Sequence, residues 1–471
     1  MTYDYTGPFA GSGLEKVSFE EGTTRVAERL FKGCEKLKTI SIPDSVKTID
    51  EGAFSGAKGL SEVRLSSSLE RIEASAFFNC TLLEKIEMPD TVTAIENEAF
   101  RNDTKLNEVV LSSNLKTINS AAFAGCVSLK QIEIPSSLEK TAMVYDYTGP
   151  FAGSGLEEVS FEEGTTRVAQ RLFKGCEKLK TISIPDSVKT IDEGAFSGAK
   201  GLSEVRLSSS LERIEASAFF NCTLLEKIEM PDTVTAIENE AFRNDTKLNE
   251  VVLSSNLKTI NSAAFAGCVS LKQIEIPSSL EKTAMAYDYT GPFADSGIEK
   301  VSFSKGVKKI PQRLFKRCNN IKDIVIPEGV EMIDKEAFSG CSNMLNISLP
   351  SSVTQLGNEA FSNCTVLQNI KLPNRITNMG NNVFSGCKSL VVYCNYYTSN
   401  VINCINQNLS FAPSDEKFVD TENKILDRKK SYFYANMDSV SSSGYLPMTI
   451  HFDVKNKWKG ELSNQKIVIY I

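Results

Sequence analysis

Residues 36–57 read KLKTISIPDSVKTIDEGAFSGA, and residues 321–341 read IKDIVIPEGVEMIDKEAFSGC. Their shared pattern, L-x-x-I-x-I-P-x-S-V-x-x-I-x-x-x-A-F-x-G-C, returns about every 23 residues through most of the chain. In the first of these units Ile40 and Ile42 alternate with Thr39 and Ser41, the period of a short strand with one buried face. Pro43 ends that strand. Val46 and Ile49 then point inward from a second extended segment, and residues 51–56 read as one helical or 3₁₀ turn that closes the coil. About six large apolar side chains per coil do not offset the entropy of ordering it, so coils must stack on one another to fold.

A longer repeat contains the shorter one. Tyr3 to Met143 reappears as Tyr145 to Met285, offset by 142 residues, with two substitutions: Glu158 stands where the first copy has Lys16, and Gln170 where it has Glu28. A third, diverged copy starts at Tyr287. Six units fill each of the first two copies and five fill the third, which ends at Phe384-Ser385-Gly386-Cys387, giving about seventeen coils. The expectation is one solenoid over residues 1–392, with copies at 1–143, 144–285 and 286–392, in place of the roughly three globular domains that 471 residues would otherwise imply. A spine of Phe31, Phe54, Phe77, Phe100, Phe123 and their equivalents should run through it beside a parallel strand ladder.

The proline, the Ala-Phe pair and the Gly-Cys at fixed offsets resemble the BspA-like, or Treponema-type, leucine-rich repeat, over residues 1 to about 392. The resemblance implies an α/β solenoid: a right-handed horseshoe or superhelix with a parallel β-sheet on its concave face and short helical or 3₁₀ turns elsewhere. Members with known roles are surface proteins that bind host matrix proteins or other cells. It therefore implies an extracellular, cell-surface location and a protein or glycan ligand on host or neighbouring cells. The family pattern consists of core positions, so it transfers no binding residue.

Charge and composition exclude other classes. Lys+Arg 52 against Asp+Glu 59 gives a net charge of -7, which provides no positive field for nucleic acid or anionic lipid. No apolar run approaches the ~18 residues of a membrane helix, so no membrane insertion is expected within this segment. A single histidine, His451, excludes a site built from two imidazoles. Neither catalysis nor a cofactor is expected, and an enzymatic reading would need chemistry within residues 393–471.

Ten of the twelve cysteines hold the same coil position: Cys34, Cys80, Cys126, Cys176, Cys222, Cys268, Cys318, Cys341, Cys364 and Cys387. In the first two copies alternate coils carry Ala57, Asp103, Ala199 or Asp245 there, so the thiols lie about two coils apart, beyond disulfide reach. They read as reduced, buried small hydrophobes, and the absence of any C-x₂-C pair speaks against metal. Cys394 and Cys404 fall outside the repeat, where pairing with each other stays open.

Binding must come from variable positions, and the outward strand row supplies the first set. It comprises Lys16, Glu62, Arg64, Lys85 and Glu87 in the first copy and Glu158, Glu204, Arg206, Lys227 and Glu229 in the second. Lys300, Asp323 and Lys371 continue it in the third. This row is polar, of mixed sign and poor in aromatic anchors. It reads either as a solvated sheet face or as an extended contact surface of low affinity per site, repeated by duplication. The second set is the block Tyr-Asp-Tyr-Thr-Gly-Pro-Phe-Ala. At copy junctions Cys126 and Ser154 are 28 residues apart, so about five residues are inserted. Gly149-Pro150 reads as a turn carrying a surface bulge, on which Tyr145, Tyr147, Tyr287 and Tyr289 either stand exposed or pack over an irregular coil.

After Tyr393 the period is lost. Residues 394–408 are expected to cover the last coil, and alternation at 448–454 and 467–471 reads as two strands of a small β module, placing a cap and module at 393–471. His451 and Trp458 sit in that module, the histidine on the polar side of its strand. Met1 aligns with Met143 and Met285, mid-array, and Ile471 ends inside a strand pattern, so both ends read as cut. The leading functional expectation is a non-enzymatic surface adhesion module. The rival is an intracellular leucine-rich-repeat scaffold or inhibitor that wraps one protein partner.

Overall fold

The computed structural model describes residues 7–141, 148–283, 290–395 and 398–414. They form a parallel β-solenoid of about 16 turns with the leucine-rich-repeat fold. The chain divides into two compact units, one of Met1–Lys305 with Leu314–Asn319 and one of Gly306–Arg313 with Asn320–Ile471.

In the first unit each coil contributes a longer and a shorter strand, as in Thr39–Ser41 followed by Thr48–Ile49. The constant period makes the ladder in-register: Thr39 faces Glu62, Ile40 faces Val63 and Ser41 faces Arg64. Identical positions therefore meet, so apolar residues pack on apolar residues, as Ile40 does on Val63 and Ile134 on Phe161. Ile40 is 4% exposed and Ile42, Val46 and Ile49 are fully buried, while Thr39 and Ser41 face solvent. The first coil departs from this pattern. Residues 13–20 form no strand, and Leu14, Val17 and Phe19 are only half-buried there, so the apolar clamp that fixes interior strands is weaker.

The turn before each Gly-Cys is not helical. Leu30, Lys32 and Cys34 donate to the carbonyls three residues back, whereas Arg29, Phe31 and Gly33 between them donate to Glu51, Ala53 and Ser55 of the next coil. A 3₁₀ or α-helix would spend every N–H inside the coil. Alternation instead ties successive coils together, and it requires left-handed backbone at two places. One lies two residues before the phenylalanine (Arg29, Ser75, Glu98, Gly52) and the other two residues after it (Gly33, Gly56, Asn79, Asn102). The second place explains the glycine of the Gly-Cys pair.

Phe31, Phe54, Phe77, Phe100 and Phe123 stack with ring centroids 5.0–5.4 Å apart. Phe151 continues the column, 5.4 Å from Phe123, and Phe293 holds the equivalent place 5.5 Å from Phe265. This corrects the reading of Gly149-Pro150 as a surface bulge. Gly149, Pro150 and Phe151 are buried, and the Phe123 N–H donates to the Pro150 carbonyl, so they form the regular turn of a coil. The strand ladder crosses the junction with Gln131 opposite Glu158. Tyr145, Tyr147, Tyr287 and Tyr289 lie outside the described residues.

In the second unit Phe338, Phe361 and Phe384 stack at 5.4 and 5.5 Å. A helix, Asn400–Asn406, then follows the strand Val391–Cys394, and Phe411–Pro413 adds a further parallel strand. Gln407 locks this end, because its side chain donates to the Gly380 carbonyl and accepts from the Val383 N–H. Asn400 donates to the Pro373 carbonyl. The β module expected at 448–471, with His451 and Trp458, lies outside the described residues.

Candidate partner-binding faces

Alternation in the longer strands turns every second side chain outward. All thirteen charged residues expected on this row are exposed: Lys16, Glu62, Arg64, Lys85, Glu87, Glu158, Glu204, Arg206, Lys227, Glu229, Lys300, Asp323 and Lys371. Lys16 is the exception in placement, since its segment forms no strand.

The row is organised by ion pairs between adjacent coils. Lys85 Nζ lies 2.6 Å from both Glu87 and Glu108, and Lys227 repeats the arrangement with Glu229 at 2.6 Å and Glu250 at 2.8 Å. These carboxylates, Glu108 first and then Glu87, push the Lys85 ammonium above its ordinary range. Arg206 reaches Asp186 at 3.2 Å, and Arg64 reaches Asp44 at 3.8 Å. Asp44 and Asp186 are held below the usual carboxylate range chiefly by the backbone N–H groups of Ser67 and Ser209. Glu157 bridges Lys130 and Lys180 at 3.0 and 3.2 Å. In the second unit Asn346 donates to Asp323 at 2.7 Å. The outcome is a face of alternating sign with internal partners, on which a ligand must displace or share existing pairs.

Apolar spots interrupt this row at Val110 and Val252, each 46% exposed, and at Val325, 71% exposed. Strand alternation in the sequence places Val110 and Val325 on this outward row, and Val252 stands one copy on from Val110.

The cysteines are all free thiols. Thiols of the repeat position donate to the phenylalanine carbonyl of an earlier coil, as Cys80 does to Phe54 at 3.2 Å and Cys126 to Phe100 at 3.1 Å. A weak S–H donor inside the core explains cysteine where alanine would also fit. Cys394 and Cys404 are buried and are not joined by a disulfide. No three His, Cys, Asp or Glu side chains converge to hold a metal ion among the described residues, and no helix there is long and apolar enough to cross a membrane.

Coils of about 23 residues, in-register parallel strands and an outward polar row define a leucine-rich-repeat solenoid. The chain belongs to the BspA-type leucine-rich-repeat family, whose region matches residues 24–144, 166–290 and 288–408. Among solved structures it is similar to a leucine-rich repeat protein from Bacteroides ovatus, with 24% identity over 83% of this chain and 88% of that one, and a TM-score of 0.54. The pneumococcal vaccine antigen PcpA matches at 20% identity over 83% and 85% of the two chains, with a TM-score of 0.40. A leucine-rich cell surface protein from Faecalibacterium prausnitzii matches at 27% over 67% and 83%, with a TM-score of 0.33. No curated protein matches the chain.

Proposed function

We propose that this chain is a non-enzymatic, extracellular adhesion module displayed at a cell surface. Its solenoid, residues 1–392, presents repeated polar contacts to a host matrix protein, a glycan or a neighbouring cell, and residues 393–471 serve as cap and β module. One observation carries the reading: an exposed contact row is written twice. Glu62, Arg64, Lys85 and Glu87 recur as Glu204, Arg206, Lys227 and Glu229 in the same strand positions. Contacts that are individually weak combine through effective concentration when a ligand also repeats. Membership of the BspA-type family supports surface display. Tyr145, Tyr147, Tyr287 and Tyr289 join the reading as aromatic anchors at the copy junctions.

The immobilised chain should retain matrix proteins or mucin glycans from a purified panel. Replacing Lys85, Glu87, Lys227 and Glu229 together by glutamine should lower that retention about tenfold or more. Retention of nothing in the panel, or retention indifferent to those four changes, defeats the reading. The twelve free thiols favour a second one, an intracellular scaffold or inhibitor around one protein partner, since reducing compartments keep thiols unpaired. Protease shaving of intact cells separates the two.

A further inference from the structure

Within the first unit, the strand that opens a copy is held by the coil before it. Glu158–Phe161 pairs in parallel with Gln131–Ile134, and Lys300–Phe303 pairs in the same register with Gln273–Ile276. The ladder of Glu158–Phe161 has two strands and does not reach Thr181–Ser183, so this strand depends on the preceding coil for its backbone partners. Residues 16–19 hold the same place in the first copy, and with no strand partner among the described residues they form no strand.

The two filled junctions show which contacts the first coil leaves open. The Lys130 carbonyl accepts from the N–H groups of Glu157 and Glu158, and the Ile134 carbonyl accepts from Glu162. Lys272 and Ile276 repeat this with Glu299, Lys300 and Ser304. The corresponding N–H groups of Glu15, Lys16 and Glu20 make no hydrogen bond among the described residues. Burial divides in the same way. Phe151, Phe293, Leu156 and Ile298 are fully buried, whereas Phe9 is 46% exposed and Leu14 is half-buried. Charge is specified as well, because Lys130 meets Glu157 at 3.0 Å and Lys272 meets Glu299 at 3.3 Å. Their counterpart Glu15 is exposed and has no ion pair among the described residues.

We infer that the edge formed by Phe9, Leu14 and residues 15–20 is a strand-addition site for a partner protein. It takes, in parallel, an extended segment of pattern Lys-x-Ile-x-Ile, the pattern that residues 130–134 present to the second copy. Main-chain bonds from Glu15, Lys16 and Glu20 provide affinity, as in other cases where a strand joins an open sheet edge. The two isoleucines lie opposite Val17 and Phe19, as Ile132 and Ile134 lie opposite Val159 and Phe161, and this fixes the register. The lysine meets Glu15. The inference does not rest on the adhesion reading, since the site is a coil edge and not the outward row.

The test is fluorescence anisotropy on the full chain with a labelled peptide of residues 127–139, whose sequence is VSLKQIEIPSSLE. Saturable binding is expected. Asparagine at both isoleucines of the peptide should lower affinity about tenfold or more. On the chain, E15K should weaken binding about two- to fivefold, and a K130E peptide should recover that loss. E157K changes an edge that the chain's own Lys130 already occupies, so it should leave peptide affinity within a factor of about two. No saturable binding, affinity indifferent to the two asparagines, or equal losses in E15K and E157K would overturn the assignment. Sedimentation of the chain alone covers the remaining occupant: a concentration-dependent dimer that the peptide dissolves would give the edge to a second copy and overturn the partner.

Discussion

Asp103 and Asp245 of the first unit lie fully buried in the column where other coils place cysteine or alanine, and each accepts one backbone N–H, from Cys80 and Cys222 at 2.7 Å. Their second oxygens make no hydrogen bond among the described residues. Glu336 of the second unit is buried nearly as deeply, but it lies bidentate against Arg313. Burial alone pushes the two aspartates well above the carboxylate range, so they are carried as neutral acids. The glutamate has a cation and two aligned donors to offset the same loss of water. The two units therefore solve one problem, a carboxyl group in an apolar stack, by protonation in one case and by pairing in the other.

The contrast breaks most readily at the pair. R313M removes both aligned donors from the buried Glu336 carboxylate, with Lys335 still at 3.5 Å, and should cost about 3 kcal/mol, read as a lowered thermal midpoint of the second unit. Adding E336G, which restores the residue of the second copy, should recover most of the loss. A single variant within about 1 kcal/mol of the parent would show that the pair is not what the site depends on. The aspartates should respond more weakly and in the opposite direction. An acid whose folded pKa is raised contributes stability that is fully present below its unfolded value near 3.8 and is lost as pH rises toward the folded pKa. The double variant D103N/D245N keeps the acceptor and removes the titration. Its Tm should match the parent below about pH 4 and exceed it increasingly above, by on the order of 1–3 kcal/mol at neutral pH. Parallel Tm–pH curves would contradict the neutral-acid account.

Much of the fold was legible because the repeat states its own register: Ile40, Ile42, Val46, Ile49 and Phe54 are core in the structure as their spacing demands. The turn was misread for a physical reason. Residues 51–56 have the length and turn residues of a short helical turn, but whether an N–H bonds inward or to the next coil is decided by a neighbour about 23 residues away. Phe151 was hidden for a similar reason, since Gly-Pro ordinarily signals an exposed turn, and only the spine shows that it fills a coil position. The strand row was readable to the residue because alternation fixes direction.

The smallest expected effect concerns thiol chemistry and leaves stability untouched. In the first unit burial pushes Cys80 and Cys126 well up, which disfavours the thiolate that alkylation requires. In the second unit Cys387 is half-buried, and the adjacent Cys364 thiol draws it down. Cys364 itself is pushed up by its contact with Cys387 and by burial. Brief treatment with iodoacetamide under native conditions, followed by peptide mass spectrometry, should therefore label Cys387 ahead of Cys80, Cys126, Cys222 and Cys268. C364A should slow that labelling without moving Tm by more than the loss of one small buried group requires. If Cys80 labels as fast as Cys387, burial in the column is not suppressing the first unit's thiols, and the difference drawn between the two units fails.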